Sequence, residues 1–117
     1  MVHGLMASAY KNIAKLVGST GDVTLYTCPS ATEAIIKNIL MYNSHSATIT
    51  VYPKITDSSA SVTVTLQKVL LPTAASTSES ADVSLTGPFV LEASDTLVFN
   101  CSVASKIYVF ASVLELS

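Results

Sequence analysis

A chain of 117 residues, half of them apolar and only 12% charged, holds enough material for one hydrophobic core without help from metals or disulfides. A net charge of −2, with six scattered lysines and no arginine, excludes the clustered cationic surface that nucleic acid requires. No apolar run approaches the roughly 18 residues of a membrane-spanning helix, and Met1 to Tyr10 lacks the basic start and long apolar run of a signal peptide. Neither nucleic acid nor a membrane is therefore an expected partner, and synthesis is expected in a cytosol.

Polarity comes from hydroxyls instead of charges: the chain has seventeen serines and thirteen threonines. Threonine suits a pleated, half-buried surface and serine suits turns. A neutral, hydroxyl-rich surface is easily desolvated, which fits a surface covered by neighbouring subunits. An ordinary β domain with few charges is the other reading of the same composition.

In chain order, Ala9 to Val17 is a weakly patterned first segment. Gly18-Ser19-Thr20-Gly21-Asp22 is a turn, because glycine and Asp tolerate left-handed backbone. Val23 to Cys28 alternates moderately until Pro29 stops it. Thr32 to Tyr42 is ambiguous. Ser30-Ala31-Thr32-Glu33 is a formal capping box, and Ile35, Ile36, Ile39 and Leu40 recur at helical spacing. A central strand covered on both faces gives the same composition without alternation, and adjacent isoleucines favour strand slightly.

Ala47 to Ile55 alternates cleanly, with Ile49, Val51 and Ile55 on one face and Thr48, Thr50 and Tyr52 on the other. Pro53 has no N–H for a ladder, so this strand is expected at an edge or with a bulge. Asp57-Ser58-Ser59-Ala60 is a hairpin turn, after which Val62, Val64 and Leu66 face the core. Thr73 to Ser80 is an exposed loop. Short strands follow at Asp82 to Thr86, Phe89 to Leu91, Thr96 to Cys101 and Lys106 to Leu116, with breaks at Gly87-Pro88 and Ala93-Ser94-Asp95. Short strands at this spacing predict an all-β fold. We expect an antiparallel β-sandwich, jelly-roll or immunoglobulin-like, of about eight strands with an N-terminal arm. Its core is expected to include Ile49, Val51, Val62, Val64, Leu66, Leu97, Phe99, Ile107 and Val109.

Catalytic constellations are missing from the sequence. His3 lies near a terminus and His45 in the turn Asn43 to Ser46, neither with an orienting partner in sequence. The eight carboxylates are dispersed and form no calcium-loop pattern. Glu92 and Asp95, three apart in a turn, either share a cation or cap the turn. Cys28 and Cys101 carry no metal-site spacing and read as buried small hydrophobes, with a disulfide left open. Asn100-Cys101-Ser102 formally matches a glycan acceptor but reads as chance without a secretion signal. No catalytic, cofactor-binding or metal-binding residue is assigned, and no cofactor or enzymatic activity is expected. Tyr52 and Tyr108 fall opposite the core, where they either stack on a ligand or cover a subunit contact.

Two stretches carry a resemblance. Leu25-Tyr26-Thr27-Cys28-Pro29-Ser30, then Thr32-Glu33-Ala34-Ile35-Ile36-Lys37-Asn38-Ile39 and Tyr42-Asn43, resembles an N-terminal pattern of bacteriophage virion proteins. In that pattern an "LYT-x-P" strand end leads into a strand that finishes in Asn. Leu85-Thr86-Gly87-Pro88-Phe89-Val90-Leu91-Glu92-Ala93-Ser94-Asp95-Thr96-Leu97 resembles the same proteins' "GP-x-x-LEAGD-x-L" segment.

The resemblance implies a β-sandwich accessory protein of the phage particle, of the head-decoration, cement or neck/tail kind, and it tips residues 31–43 to strand. It implies contacts with itself, as a trimer or larger ring, and with major capsid or neck/tail proteins in the virion. The family usually has Gly where this chain has Ser94, so Ser94 must either accept left-handed strain or change the turn. Residues 1–20 lie outside the resemblance and read as an arm or first strand, with residues 21–117 as the sandwich. The alternative is a carbohydrate- or receptor-binding β-sandwich module of a tail fibre or surface protein.

Overall fold

Strands alone make up the regular structure of the computed structural model, which describes residues 7–77 and 79–117. In chain order they are β1 (Ser8–Leu16), β2 (Gly21–Thr27), β3 (Glu33–Asn43), β4 (Ile49–Asp57), β5 (Val62–Thr65), β6 (Val69–Leu71), β7 (Asp82–Leu91), β8 (Thr96–Cys101) and β9 (Ile107–Leu116). They form two antiparallel sheets, ordered β1-β9-β3-β7 and β2-β8-β4-β5, with β6 also paired to β4. Strands β5 and β6 pair with opposite ends of β4, so they act as one interrupted strand. Counted so, β1 and β2 sit in different sheets, as do β3 and β4, and β8 and β9. This alternation is the double Greek key of a jelly roll. An immunoglobulin order would keep the first two strands in one sheet.

The inward faces meet in one core whose largest fully buried side chains include Phe99, Ile36, Ile39, Met41, Ile49 and Leu71. Strand β3 lies centrally between β9 and β7 and explains its own helix-like sequence. Both pairings slip between Ile36 and Asn38, so Lys37 is bulged. The bulge moves the inward phase by one residue, and Ala34 and Ile36 face in, then Ile39, Met41 and Asn43. Two apolar pairs separated by a phase slip imitate a 3.6-residue period.

Several expectations need correction. The last strand carries no charge before Glu115 and so reads from its sequence as an unguarded apolar edge; in the structure β9 is central, with β1 on one side and β3 on the other. Of residues 1–20, read as an arm or first strand, Ser8–Leu16 form strand β1, and residues 1–6 lie outside the described residues. Strand β4 is likewise internal. The Pro53 carbonyl accepts the Leu66 N–H at 2.8 Å, so the bonding side of residue 53 faces the gap between β5 and β6. The missing N–H costs no ladder bond there, and the interruption falls in the partner strand.

Gly87-Pro88 does not end a strand, because β7 runs through it. Val62 and Val64 do point to the inward side, paired with Asp57 and Ile55, but they stay 50% and 52% exposed because the β1-β9-β3-β7 sheet does not extend over β5. Leu66 is only partly buried. The other expected core residues, Ile49, Val51, Leu97, Phe99, Ile107 and Val109, are buried.

Candidate interaction surface

The two outer faces of the sandwich have opposite chemistry. On the five-stranded sheet, pairing register aligns Thr27, Thr96, Thr56 and Thr63 across four strands. The Thr56 and Thr63 hydroxyls are 2.8 Å apart. Beside them Asp22 accepts from Asn100 at 2.8 Å and from Lys54 Nζ at 3.0 Å, which holds the Asp22 carboxyl below its ordinary range. Tyr52 is half-buried on this face. Threonine ladders and an exposed ion pair are ordinary for a solvated sheet.

The outer face of β1-β9-β3-β7 is apolar and aromatic. Alternation with the buried Ile13, Val109 and Met41 sends Leu16, Tyr108 and Tyr42 outward in one cross-strand row, ending in Asp82 on β7. The next row is Ala14, Phe110, Leu40 and Ser84. Tyr108 is 50% exposed, Phe110 46% and Tyr42 41%. These side chains, with Lys15, line a shallow depression of about 380 Å³. Large apolar groups gathered like this are unusual on an isolated soluble chain and mark contact sites. Tyr52 and Tyr108, paired in expectation by their outward phase, therefore lie on opposite sheets. Only Tyr108 joins an aromatic cluster, with Phe110 two residues on in the same strand; its third member, Tyr42, was legible only once β3 was known to slip phase at Lys37.

At one end of the sandwich, the turn after β7 gathers acidic groups. Carboxylate oxygens of Asp57, Glu92 and Asp95 lie within 4.8 Å of one another. Asp95 is buried and accepts the backbone N–H groups of Ser58 and Glu92 at 3.0 and 2.9 Å. Asp57 accepts the side-chain hydroxyl of Ser59 and the N–H groups of Ser59 and Ala60, and the hydroxyl contact leads in lowering its pKa. The capping reading of Asp95 thus holds, and Asp57 was missed because it comes from a different hairpin. Ser94 keeps the left-handed turn at φ +73° instead of changing it. Its N–H bonds to Cys28 O at 2.9 Å, which helps hold the strained residue in place.

His45 sits half-buried in the β3–β4 turn, where its N–H donates to Asn43 Oδ1 at 2.8 Å; His3 lies outside the described residues. Cys28 and Cys101 are free and buried. Burial pushes the Cys101 thiol up to about 11 and also raises Cys28, so neither favours the reactive thiolate. Asn100 holds Asp22 with its amide, and Cys101 beside it faces the core.

No family model and no curated protein matches the chain. Solved structures do. A subunit of Bacillus endospore appendages, described as disulfide-linked pili, superimposes with a TM-score of 0.60 at 9% identity, over 100% of this chain and 94% of that one. A protein of the extra small virus virus-like particle from the giant freshwater prawn Macrobrachium rosenbergii gives 0.56 at 14% identity, over 99% and 81%. A protein of the capsid of Helicobacter pylori bacteriophage KHP30 gives 0.52 at 13% identity, over 94% and 87%. At these identities the likeness establishes a shared fold, and function must be argued from the surface.

Proposed function

We propose that this chain is a non-enzymatic structural subunit of a virus particle, of the phage head-decoration, cement or neck/tail kind, that works by covering its aromatic sheet face against neighbours. The observation that carries this reading is the contrast between the two outer faces: one is solvated by threonines and an ion pair, the other gathers Tyr42, Tyr108, Phe110, Leu16 and Leu40. A jelly roll with one such face is shaped to be tiled. Two of the similar folds come from particle shells and one from a pilus, all assemblies of repeated subunits, which supports the reading by analogy.

In this reading the partners are other copies of the chain, in a trimer or larger ring, and neighbouring virion proteins such as major capsid or neck/tail proteins. The place of action is the virion, after synthesis in the host cytoplasm. A carbohydrate-binding role is less favoured. The depression at Tyr42 and Tyr108 is shallow and lined mainly by apolar groups, with few polar groups to orient a sugar.

Sedimentation velocity of the purified chain at micromolar concentration, followed by electron microscopy of the products, tests the proposal. Discrete oligomers or regular shells are expected. A monomer throughout, combined with retention on a glycan array, would replace this reading with the sugar-binding one.

A further inference from the structure

We propose that two copies of this chain join edge to edge through β1, antiparallel about a two-fold axis at Asn12, so that their four-stranded sheets become one sheet. The inference names the copy-to-copy contact of the proposed subunit role and rests on that reading.

The two sheets end on β1 and β7, and on β2 and the β5–β6 pair. Three of these edges are unfit to take a partner. β2 slips register between Thr24 and Tyr26. β7 slips register across Gly87-Pro88, and Pro88 has no N–H to offer. β5 and β6 are only four and three residues long. Bulges, proline and shortness are the devices that blunt a sheet edge. β1 has none of them, and runs nine residues, Ser8–Leu16, in one unbroken register with β9.

The backbone bonding tells which groups of β1 are free. Ala7 and Ser117 exchange both N–H···O bonds at 2.8 Å, and the Val17 N–H donates to Ile107 O at 2.9 Å. The register is constant between them, so Ala9, Lys11, Ile13 and Lys15 bond to β9. The N–H and C=O groups of Ser8, Tyr10, Asn12, Ala14 and Leu16 therefore point away from the sheet. They have no partner among the described residues, and they form a template for one more antiparallel strand.

The sequence of β1 fits a reversed copy of itself. With the axis at Asn12, Tyr10 lies opposite Ala14 of the second copy, Lys15 opposite Ala9, and Leu16 opposite Ser8. In each of these pairs a large side chain meets a small one. Asn12 meets Asn12, and the two amides bond across the axis. Lys11 lies opposite Ile13 and keeps Glu115 of its own copy at 2.9 Å. Moving the axis by one residue breaks this match. An axis at Lys11 sets lysine against lysine, and one at Ile13 sets Lys11 against Lys15 twice, which is unfavourable for directly opposed like charges. Larger shifts shorten the overlap of the two strands. The same edge serves both partners, as an isologous contact requires. The axis stands perpendicular to the sheet, so both clusters of Tyr42, Tyr108 and Phe110 lie on the same side of the joined sheet.

A cysteine scan of the full chain reads the register. The Cα atoms of a directly opposed, hydrogen-bonded pair are about 5.5 Å apart, inside the range a disulfide spans. Asn12→Cys should therefore cross-link to itself on mild oxidation. Tyr10→Cys should not, because its two copies sit about 13 Å apart along the strands, but it should cross-link to Ala14→Cys when the two proteins are mixed. The native Cys28 and Cys101 are buried and do not compete. Asn12→Pro removes the N–H at the axis without touching the bonds to β9, and should weaken self-association by at least about tenfold.

Non-reducing electrophoresis and sedimentation equilibrium read the results, with circular dichroism checking that each variant folds as the parent does. Cross-linking in this pattern supports the edge contact, as does weakened association of Asn12→Pro. Cross-linking of Lys11→Cys or Ile13→Cys in place of Asn12→Cys overturns the axis. A parent chain that self-associates while Asn12→Cys stays unlinked and Asn12→Pro associates as before overturns the contact and leaves the subunit role standing. A parent chain that stays monomeric in solution and makes no contact with another copy in a particle overturns both.

Discussion

Tyr26 on β2 donates its phenol proton to Glu115 on β9, and Glu115 also pairs with Lys11 on β1 at 2.9 Å. The three residues bridge the open side of the sandwich where the two sheets' edge strands β1 and β2 run together. A bulge at Leu25 makes the bridge possible, because the β2–β8 register slips between Thr24 and Tyr26 and turns Tyr26 inward. The Tyr26 contact leads in holding the Glu115 carboxyl below its ordinary value of 4.5, with Lys11 adding to it. Burial and the carboxylate push the Tyr26 phenol up, so it stays a donor at any ordinary pH.

The bridge therefore makes stability acid-sensitive. A carboxyl whose folded pKa is depressed contributes stability that is present above its unfolded value and is lost as pH falls through the folded one. We expect denaturant-unfolding stability to decline below about pH 4.5, with part of that decline gone in Glu115→Gln. Tyr26→Phe should cost about 1 kcal/mol at neutral pH. An unchanged acid limb in Glu115→Gln would show that the bridge does not set it.

Asn43 ends β3 fully buried, and its side chain ties three segments together. Its amide donates to the carbonyls of Ala47 at 3.0 Å, Leu71 at 3.0 Å and Pro72 at 3.1 Å, and its Oδ1 accepts from His45. Asn43→Ala strands buried carbonyls, and we expect a loss of about 2–3 kcal/mol. Asn43→Asp should be at least as damaging, because a carboxylate would face those carbonyls. His45→Ala should leave stability unchanged, since only its backbone takes part in this network. Thermal unfolding of the three variants orders them.

Gly87 lies against the β3 bulge. A Cβ there would stand 2.4 Å from Ile36 O and 2.9 Å from Lys37 O, both backbone atoms that cannot swing away. Gly87→Ala should therefore cost more than about 3 kcal/mol or prevent folding. Lys37→Ala, at the exposed bulge residue itself, should be nearly neutral and serves as the comparison. Soluble yield and urea midpoints distinguish the two.

Ser94 at φ +73° pays a left-handed penalty that glycine would not. Ser94→Gly should raise stability by about 0.5–1 kcal/mol, the strain relieved being partly offset by a freer unfolded chain. A destabilised Ser94→Gly protein, measured by urea unfolding, would mean that the Ser94 side chain holds the turn.

What the sequence made legible follows from these particulars. The clean alternation of β4 disclosed its inward residues, and turn chemistry marked the β4–β5 hairpin through Asp57. Reading failed wherever a bulge changed phase. Lys37 made β3 look helical, and the same strand's Tyr42 and Leu40 could not be placed on the aromatic face until the slip was known. Gly87-Pro88 looked like a break because the feature it accommodates, the bulge of β3, lies about fifty residues away in the chain. The exposure of Val62 and Val64 depends on how far the opposite sheet extends, which no local pattern records. Strand order was invisible too, and with it the central place of β9.

The most direct test of the structural-subunit account is cryo-electron microscopy of particles purified from the cells that make this chain. The account predicts many symmetry-related copies of the nine-stranded sandwich, each with the Tyr42, Tyr108 and Phe110 face buried against protein and the threonine face of the other sheet turned to solvent. Particles that lack the chain, or that carry it with the aromatic face open to solvent, would contradict it.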